Sequence, residues 1–88
     1  MAEDKVKILY FSWIRERVGL NDELVSMPDG VKTVAQLLVW LQGRNEQFAA
    51  AFEFPEIIRV ALDQEHADHA QDLGKPSEIA LFPPMTGG

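Results

Sequence analysis

The feature that most narrows the fold is one amphipathic stretch at residues 33–43, with short alternating segments on either side of it. Thr33 has an N-capping side chain, and Gln36 stands three positions on, the spacing of a capping box. Val34, Leu37, Leu38 and Leu41 fall at i, i+3, i+4 and i+7 and form one apolar stripe. Gly43 supplies a stop. A helix with a single apolar stripe must bury it against a second layer. The chain has 88 residues and no cysteine, so that layer belongs to one modest core without a disulfide.

The flanking segments supply the layer. Residues 5–11, 23–27, 57–63 and 78–82 are rich in β-branched and aromatic side chains and read as strands. Residues 12–22 read as a long connection containing a helical turn, and Pro28-Asp29-Gly30 as a turn. Residues 45–53 suggest a second short helix, capped by Asn45, with Phe48 and Phe52 one turn apart and Pro55 ending it. Residues 64–77 are polar and turn-rich. Pro83-Pro84 ends the last strand, because neither residue can donate to a ladder. The order is β-β-α-β-β with a first hairpin. It predicts an α+β fold, a sheet with one main helix on one face, spanning residues 1–82 and followed by an extended tail at 83–88.

Alternation divides the strands between two faces. Val6, Ile8, Tyr10, Ile58, Val60, Leu62, Ile79 and Leu81 can meet the helix. Leu9, Phe11, Ala61, Ala80 and Phe82 lie on the other face, with no second helical layer to cover them. An apolar group of that size points to a protein interface.

Composition removes several classes of function. Fourteen acidic and 8 basic residues give a net charge of −6, unlike a nucleic-acid footprint or a protein drawn to anionic membranes. The acidic start at residues 1–5 is followed by a short apolar run broken by Lys7 and Arg15. That is neither a signal peptide nor a membrane span, and a cytoplasmic protein is expected. Without cysteine there is no thiolate metal site and no cysteine nucleophile. Glu65, His66, Asp68 and His69 crowd one segment, but a structural metal site wants about four well-placed ligands and a supporting shell, so a solvated loop is the expectation. No nucleophile motif accompanies these histidines. No glycine-rich loop suits a nucleotide phosphate, so the chain itself is not expected to bind ATP. Trp40 borders the helix stripe and reads as core edge. Trp13 falls in a connection and is open to either role.

The ending Phe82-Pro83-Pro84-Met85-Thr86-Gly87-Gly88 carries the most chemical information. The prolines favour an extended start. The glycines have the thinnest backbone profile, so such a tail can thread a narrow channel of another protein and present a carboxylate. Adenylated by a partner, that carboxylate becomes electrophilic, and a sulfur donor can convert it to a thiocarboxylate. No internal cysteine is needed. The bland alternative is a frayed end with no role.

Further segments occur in one order with that tail: the first strand with Arg15-Glu16-Arg17-Val18-Gly19, the Pro28-Asp29-Gly30 turn, the Thr33-Val34-Ala35-Gln36-Leu37-Leu38 helix start, and Glu78-Ile79-Ala80-Leu81-Phe82. Together they closely resemble the small-subunit family of molybdopterin synthase (molybdopterin converting factor subunit 1), ubiquitin-like β-grasp sulfur carriers. The resemblance covers nearly the whole chain and is most specific in the last eleven residues. It implies that Gly88 carries the thiocarboxylate and that Met85, Thr86 and Gly87 enter the partner. Sulfur would pass to precursor Z, forming the molybdopterin dithiolene. It implies partner contacts at Phe11, Arg15, Phe82 and Pro83, and no cofactor on the carrier, since an E1-like adenylyltransferase uses the ATP. It also implies a heterotetramer with a large synthase subunit, the chain being no enzyme alone. Two departures stand out: Leu62-Asp63-Gln64 where the family often has Val-Asn-Gln, and His66 where it often has an apolar residue. Three other readings share the same tail or fold: a carrier for thiamine, tRNA thiolation or cysteine synthesis, a ubiquitin-like protein modifier, and a plain interaction module.

Overall fold

The computed structural model describes residues 5–84. Its elements are β1 (Lys5–Tyr10), α1 (Ser12–Val18), β2 (Asp22–Ser26), α2 (Val34–Gln42), α3 (Glu46–Ala51), a 3₁₀ turn at Pro55–Ile57, β3 (Arg59–Leu62), β4 (Glu65–Ala67) and β5 (Glu78–Phe82). The strands form one sheet in the order β2-β1-β5-β3-β4. β1 and β5 run parallel, and the remaining pairs are antiparallel. This is the α+β arrangement that the strand and helix pattern predicts, and the β-grasp that the resemblance implies.

One cluster forms the core. Val6, Ile8, Tyr10, Val60, Ile79 and Leu81 from the sheet meet Val34, Leu37, Leu38 and Leu41 from α2, all of them buried. The expected stripe is therefore the buried one. The α2 start forms as the capping box predicts: Gln36 N–H donates to Thr33 Oγ1 at 3.2 Å, and Gln36 Oε1 accepts from Thr33 N–H at 3.1 Å. Two further amides of that first turn, on Val34 and Ala35, donate to the carbonyls of Gln71 and His69 at 3.0 and 2.9 Å. The loop at 68–73 thus satisfies donors that a helix N-terminus otherwise leaves open. Asn45 caps α3 through Phe48 N–H at 2.9 Å, and Phe48 stacks on Phe52 at 6.3 Å.

The structure differs from the sequence expectation in three places. The connection at 12–22 contains a full helix, α1, which buries Ile14 and Val18 and separates β1 from β2, so their pairing is not a tight hairpin. Gly19 ends α1 in the left-handed region at φ 86°, donating to Arg15 O at 2.8 Å. The third strand starts at Arg59 rather than residue 57, because Pro55 opens a 3₁₀ turn that uses up Ile57. The return at 64–77 contains a fifth strand, β4, paired antiparallel to β3.

That fifth strand depends on a two-residue turn. Asp63 and Gln64 both have positive φ, 49° and 74°, the pattern of a type I′ hairpin turn. Asp63 also ties down the start of β5, its Oδ1 accepting from Ser77 N–H at 2.9 Å and Glu78 N–H at 3.0 Å. Asparagine offers the same acceptor, so the Leu62-Asp63-Gln64 departure keeps the function of the turn. Gln64 has no such compensation for its left-handed backbone, which costs an L-residue about 1–2 kcal/mol.

A single polar cluster braces the far side of the core. Tyr10 O–H donates to Glu23 Oε2 at 2.6 Å, and Arg44 grips the same carboxylate with two bonds, at 2.6 and 3.3 Å. The Arg44 guanidinium lies over Phe48 at 4.6 Å and Trp40 at 5.2 Å. Burial, and then the Glu23 carboxylate, hold the Tyr10 phenol well above its ordinary value near 10. Above that value the unfolded chain loses the phenolic proton while the folded chain keeps it, so stability falls as pH rises.

Two predictions follow from this wiring. Gln64→Gly raises the melting temperature by about 4–8 °C, the shift expected for about 1 kcal/mol in a domain of this size; an unchanged or lower melting temperature contradicts the turn assignment. Tyr10 is the only tyrosine. Absorbance of tyrosinate therefore appears only with unfolding as pH is raised, whereas a native-state titration with a midpoint near 10 contradicts the buried hydrogen bond.

Candidate functional site

The tail leaves from the middle of the sheet. β5 lies between β1 and β3, with Tyr10 beside Leu81 and Arg59 beside Phe82. Phe11 N–H donates to Leu81 O at 3.1 Å, which carries the parallel ladder one residue past β1. The Phe11 and Phe82 rings consequently meet edge to face, with centroids 6.5 Å apart and planes at 81°. Phe11 is 43 % exposed, high for a large aromatic side chain. Immediately after it the chain turns at Ser12, φ 59°, into α1. Arg15 follows one helical turn from Phe11, to whose carbonyl its N–H donates at 3.4 Å, and its side chain is exposed. Phe82, Pro83 and Pro84 are half-buried.

The structure therefore brings Phe11, Arg15, Phe82 and Pro83 to one end of the sheet, where the tail departs. Met85, Thr86, Gly87 and Gly88 lie outside the described residues.

The face next to this point is the one that alternation leaves without a helix. The buried residues of α1, α2 and α3 all join the core cluster on the other side. Leu9 and Ala61 are half-buried there, and Ala80, between them in register, is only 8 % exposed because its neighbours shield a small side chain. Register fixes the neighbours of two further residues on this face. Arg59 stands beside Phe82, and His66 lies across from Ala61 at the end of the Leu9–Ala80–Ala61 row. The place of Arg59 follows from the β3–β5 register, and that of His66 from β4, for which the Asp63-Gln64 turn was the available signal. Leu24 on β2, 66 % exposed and beside Lys7, extends the face at the other edge.

The remaining candidates resolve differently. His69 is half-buried, and its Nε2–H donates to Ile58 O at 2.7 Å, which pins the loop to the entrance of β3. Among the described residues, no group of three or more His, Asp or Glu side chains is placed to hold a metal ion. Trp13 and Trp40 both pack at the core edge, and the Arg17 guanidinium lies 4.7 Å above the Trp13 ring.

Comparison with known proteins shows the family. The model of the ThiS family matches residues 8–88, nearly the whole chain and all of the tail. The chain belongs to the ThiS family. Its relatives include the molybdopterin synthase sulfur carrier subunit of Escherichia coli, 30 % identical, the match covering 94 % of this chain and 99 % of that one. The subunit of the same name from Dictyostelium discoideum is 28 % identical, covering 97 % and 98 %. Among solved structures, small archaeal modifier protein 1 of Haloferax volcanii superposes with a TM-score of 0.69 at 27 % identity, covering 96 % of this chain and 99 % of that one. The protein of that name from Methanosarcina acetivorans, at 18 % identity and a TM-score of 0.66 over the whole of both chains, shares the ubiquitin-like fold.

The Phe11–Phe82 contact should be measurable in this ThiS-family domain. A double-mutant cycle of Phe11→Ala and Phe82→Ala in denaturant unfolding is expected to give a coupling of about 0.5–1.5 kcal/mol. Strict additivity would show that the rings do not meet in solution.

Proposed function

We propose that this ThiS-family protein is the sulfur carrier subunit of molybdopterin synthase. The observation that carries the reading is the departure of Pro83-Pro84 from the centre of the sheet beside the exposed Phe11, leading to Gly87-Gly88. Relatives that bear this name span nearly the same length.

In this reading the Gly88 carboxylate attacks the α-phosphorus of ATP in the site of an E1-like adenylyltransferase, and pyrophosphate leaves. A sulfide-equivalent donor then attacks the acyl-adenylate carbonyl, a C–S bond replaces the C–O bond, and AMP leaves. The thiocarboxylate is a sulfur nucleophile held on a thin tail. Met85, Thr86 and Gly87 lead it into the large synthase subunit, where sulfur passes to precursor Z. Water restores the carboxylate. The carrier is not an enzyme alone, binds no cofactor itself, and works in a heterotetramer in the cytoplasm. Phe11, Arg15, Phe82 and Pro83 form the surface on which both partners dock. Among the described residues, no helix is long and apolar enough to cross a membrane.

Intact mass tests the chemistry. Incubation with the activating enzyme, ATP and a sulfur donor is expected to exchange one oxygen for one sulfur on Gly88. No adenylate and no mass change with a competent partner overturns the proposal. For the docking surface, Phe82→Ala is expected to weaken large-subunit binding by about 2 kcal/mol or more, as truncation of a central aromatic anchor does. Unchanged affinity contradicts the assignment.

A second reading is favoured by the modifier protein of Haloferax volcanii at 27 % identity. In that reading the same activated carboxylate of this chain forms isopeptide bonds with lysines. Adducts on cellular proteins, removed when Gly88 is deleted, would select it over sulfur transfer.

A further inference from the structure

The end of the sheet opposite the tail holds a cleft of about 730 Å³. It lies where β1 and β5 begin, with Lys5 and Val6 on one side, Ser77 and Ile79 on another, and the segments around Met27–Lys32 and Asp72–Pro76 as walls. β1 and β5 run parallel. The cleft and the tail exit are therefore separated by the length of those strands, about 15–20 Å.

The walls are locked by their own backbone. Val31 N–H donates to Pro28 O at 3.1 Å, Leu73 N–H to Lys32 O at 2.8 Å, and Lys7 N–H to Ser77 O at 3.0 Å. A ligand would therefore meet side chains, not an open sheet edge. The floor is apolar, with Val6, Leu73 and Ile79 reaching it from the core and Met27 and Val31 packed against that core. The rim is cationic. Lys5, Lys32 and Lys75 line the cleft, and they are three of only four lysines in a chain of net charge −6. All three are exposed, and the one ion pair among the described residues is Arg44–Glu23. The accompanying carboxylates are Asp29 and Asp72, so this is a local positive excess on an acidic protein.

We propose that this cleft is a second docking site, for an acidic peptide segment of a partner protein that alternates carboxylate and aliphatic side chains. Aliphatic side chains would reach the Val6–Leu73–Ile79 floor, and carboxylates would meet the lysine rim. Lysine is a point-charge donor on a flexible stem, suited to varied carboxylate positions along a chain. The opening is a broad cleft with two walls, which suits a chain segment. Because the site lies a strand length from Phe11 and Phe82, it can be occupied while the tail is engaged elsewhere. It does not rest on the sulfur-carrier reading.

The test is a titration of the full ¹⁵N-labelled chain with a twelve-residue peptide alternating leucine with glutamate, against a control in which lysine replaces every glutamate. The acidic peptide is expected to shift the amides of Val6, Val31, Lys32, Leu73 and Lys75 and to bind at least tenfold more weakly as salt is raised from low to physiological strength. A Lys5→Glu/Lys32→Glu/Lys75→Glu variant that keeps its amide dispersion is expected to lose at least tenfold in affinity. Equal binding of both peptides, shifts confined to Phe11 and Phe82, or no shifts at millimolar peptide overturns the proposal. Decanoate producing the same shifts at lower concentration than the peptide overturns it in favour of a small amphiphilic anion. The salt dependence of the unaltered protein keeps the test decisive if the triple variant fails to fold.

Discussion

The parallel pairing of β1 with β5 is the constraint on which the rest depends. It puts the last strand in the middle of the sheet, between β1 and β3, and aims its end in the same direction as the end of β1. Phe11 therefore arrives beside Phe82 instead of at the opposite pole, and the tail emerges between side chains fixed by two neighbouring strands. Parallel strands need a long crossover. Here everything from α1 to β4 forms that crossover, and the domain fixes the point at which Pro83 leaves the sheet.

A chain this small has little apolar surface to spare, and its polar groups fill in. The Tyr10–Glu23–Arg44 cluster ties β1, β2 and the α2–α3 junction to one carboxylate. Asp63 ties the β3–β4 turn to the start of β5. The loop at 68–73 completes the first turn of α2, and His69 fastens the same loop to Ile58. Each of these bonds joins segments far apart in sequence, so they fix the crossover without disulfides. No buried side-chain polar atom among the described residues lacks a partner.

Local chemistry was legible wherever it is decided within one turn. The Thr33–Gln36 box, the Asn45 cap and the α2 stripe all form as their spacing implies. Strand faces were legible too, because alternation decides burial without knowledge of partners. What escaped depends on partners distant in sequence. β4 is three residues long and exists only because β3 offers an edge, and its Asp63-Gln64 turn lacks the glycine that marks most turns of this kind. α1 looked like a connection because Arg15, Glu16 and Arg17 dominate it, although Ile14, Val18 and Gly19 mark its buried face and its stop. For the candidate site, Phe11 and Phe82 could be assigned to one face from alternation. Their edge-to-face contact, the place of Arg59 beside Phe82 and that of His66 across from Ala61 required the register.

The central claim is that the folded domain is a handle and that the chemistry belongs to the carboxylate of Gly88. The most direct measurement is sulfur loading of a chain extended by one alanine after Gly88, with its amide spectrum compared with that of the unextended protein. The account predicts an unchanged spectrum for residues 5–84, retained docking on the activating enzyme, and no sulfur acquired. Sulfur loading equal to that of the unextended chain would contradict it.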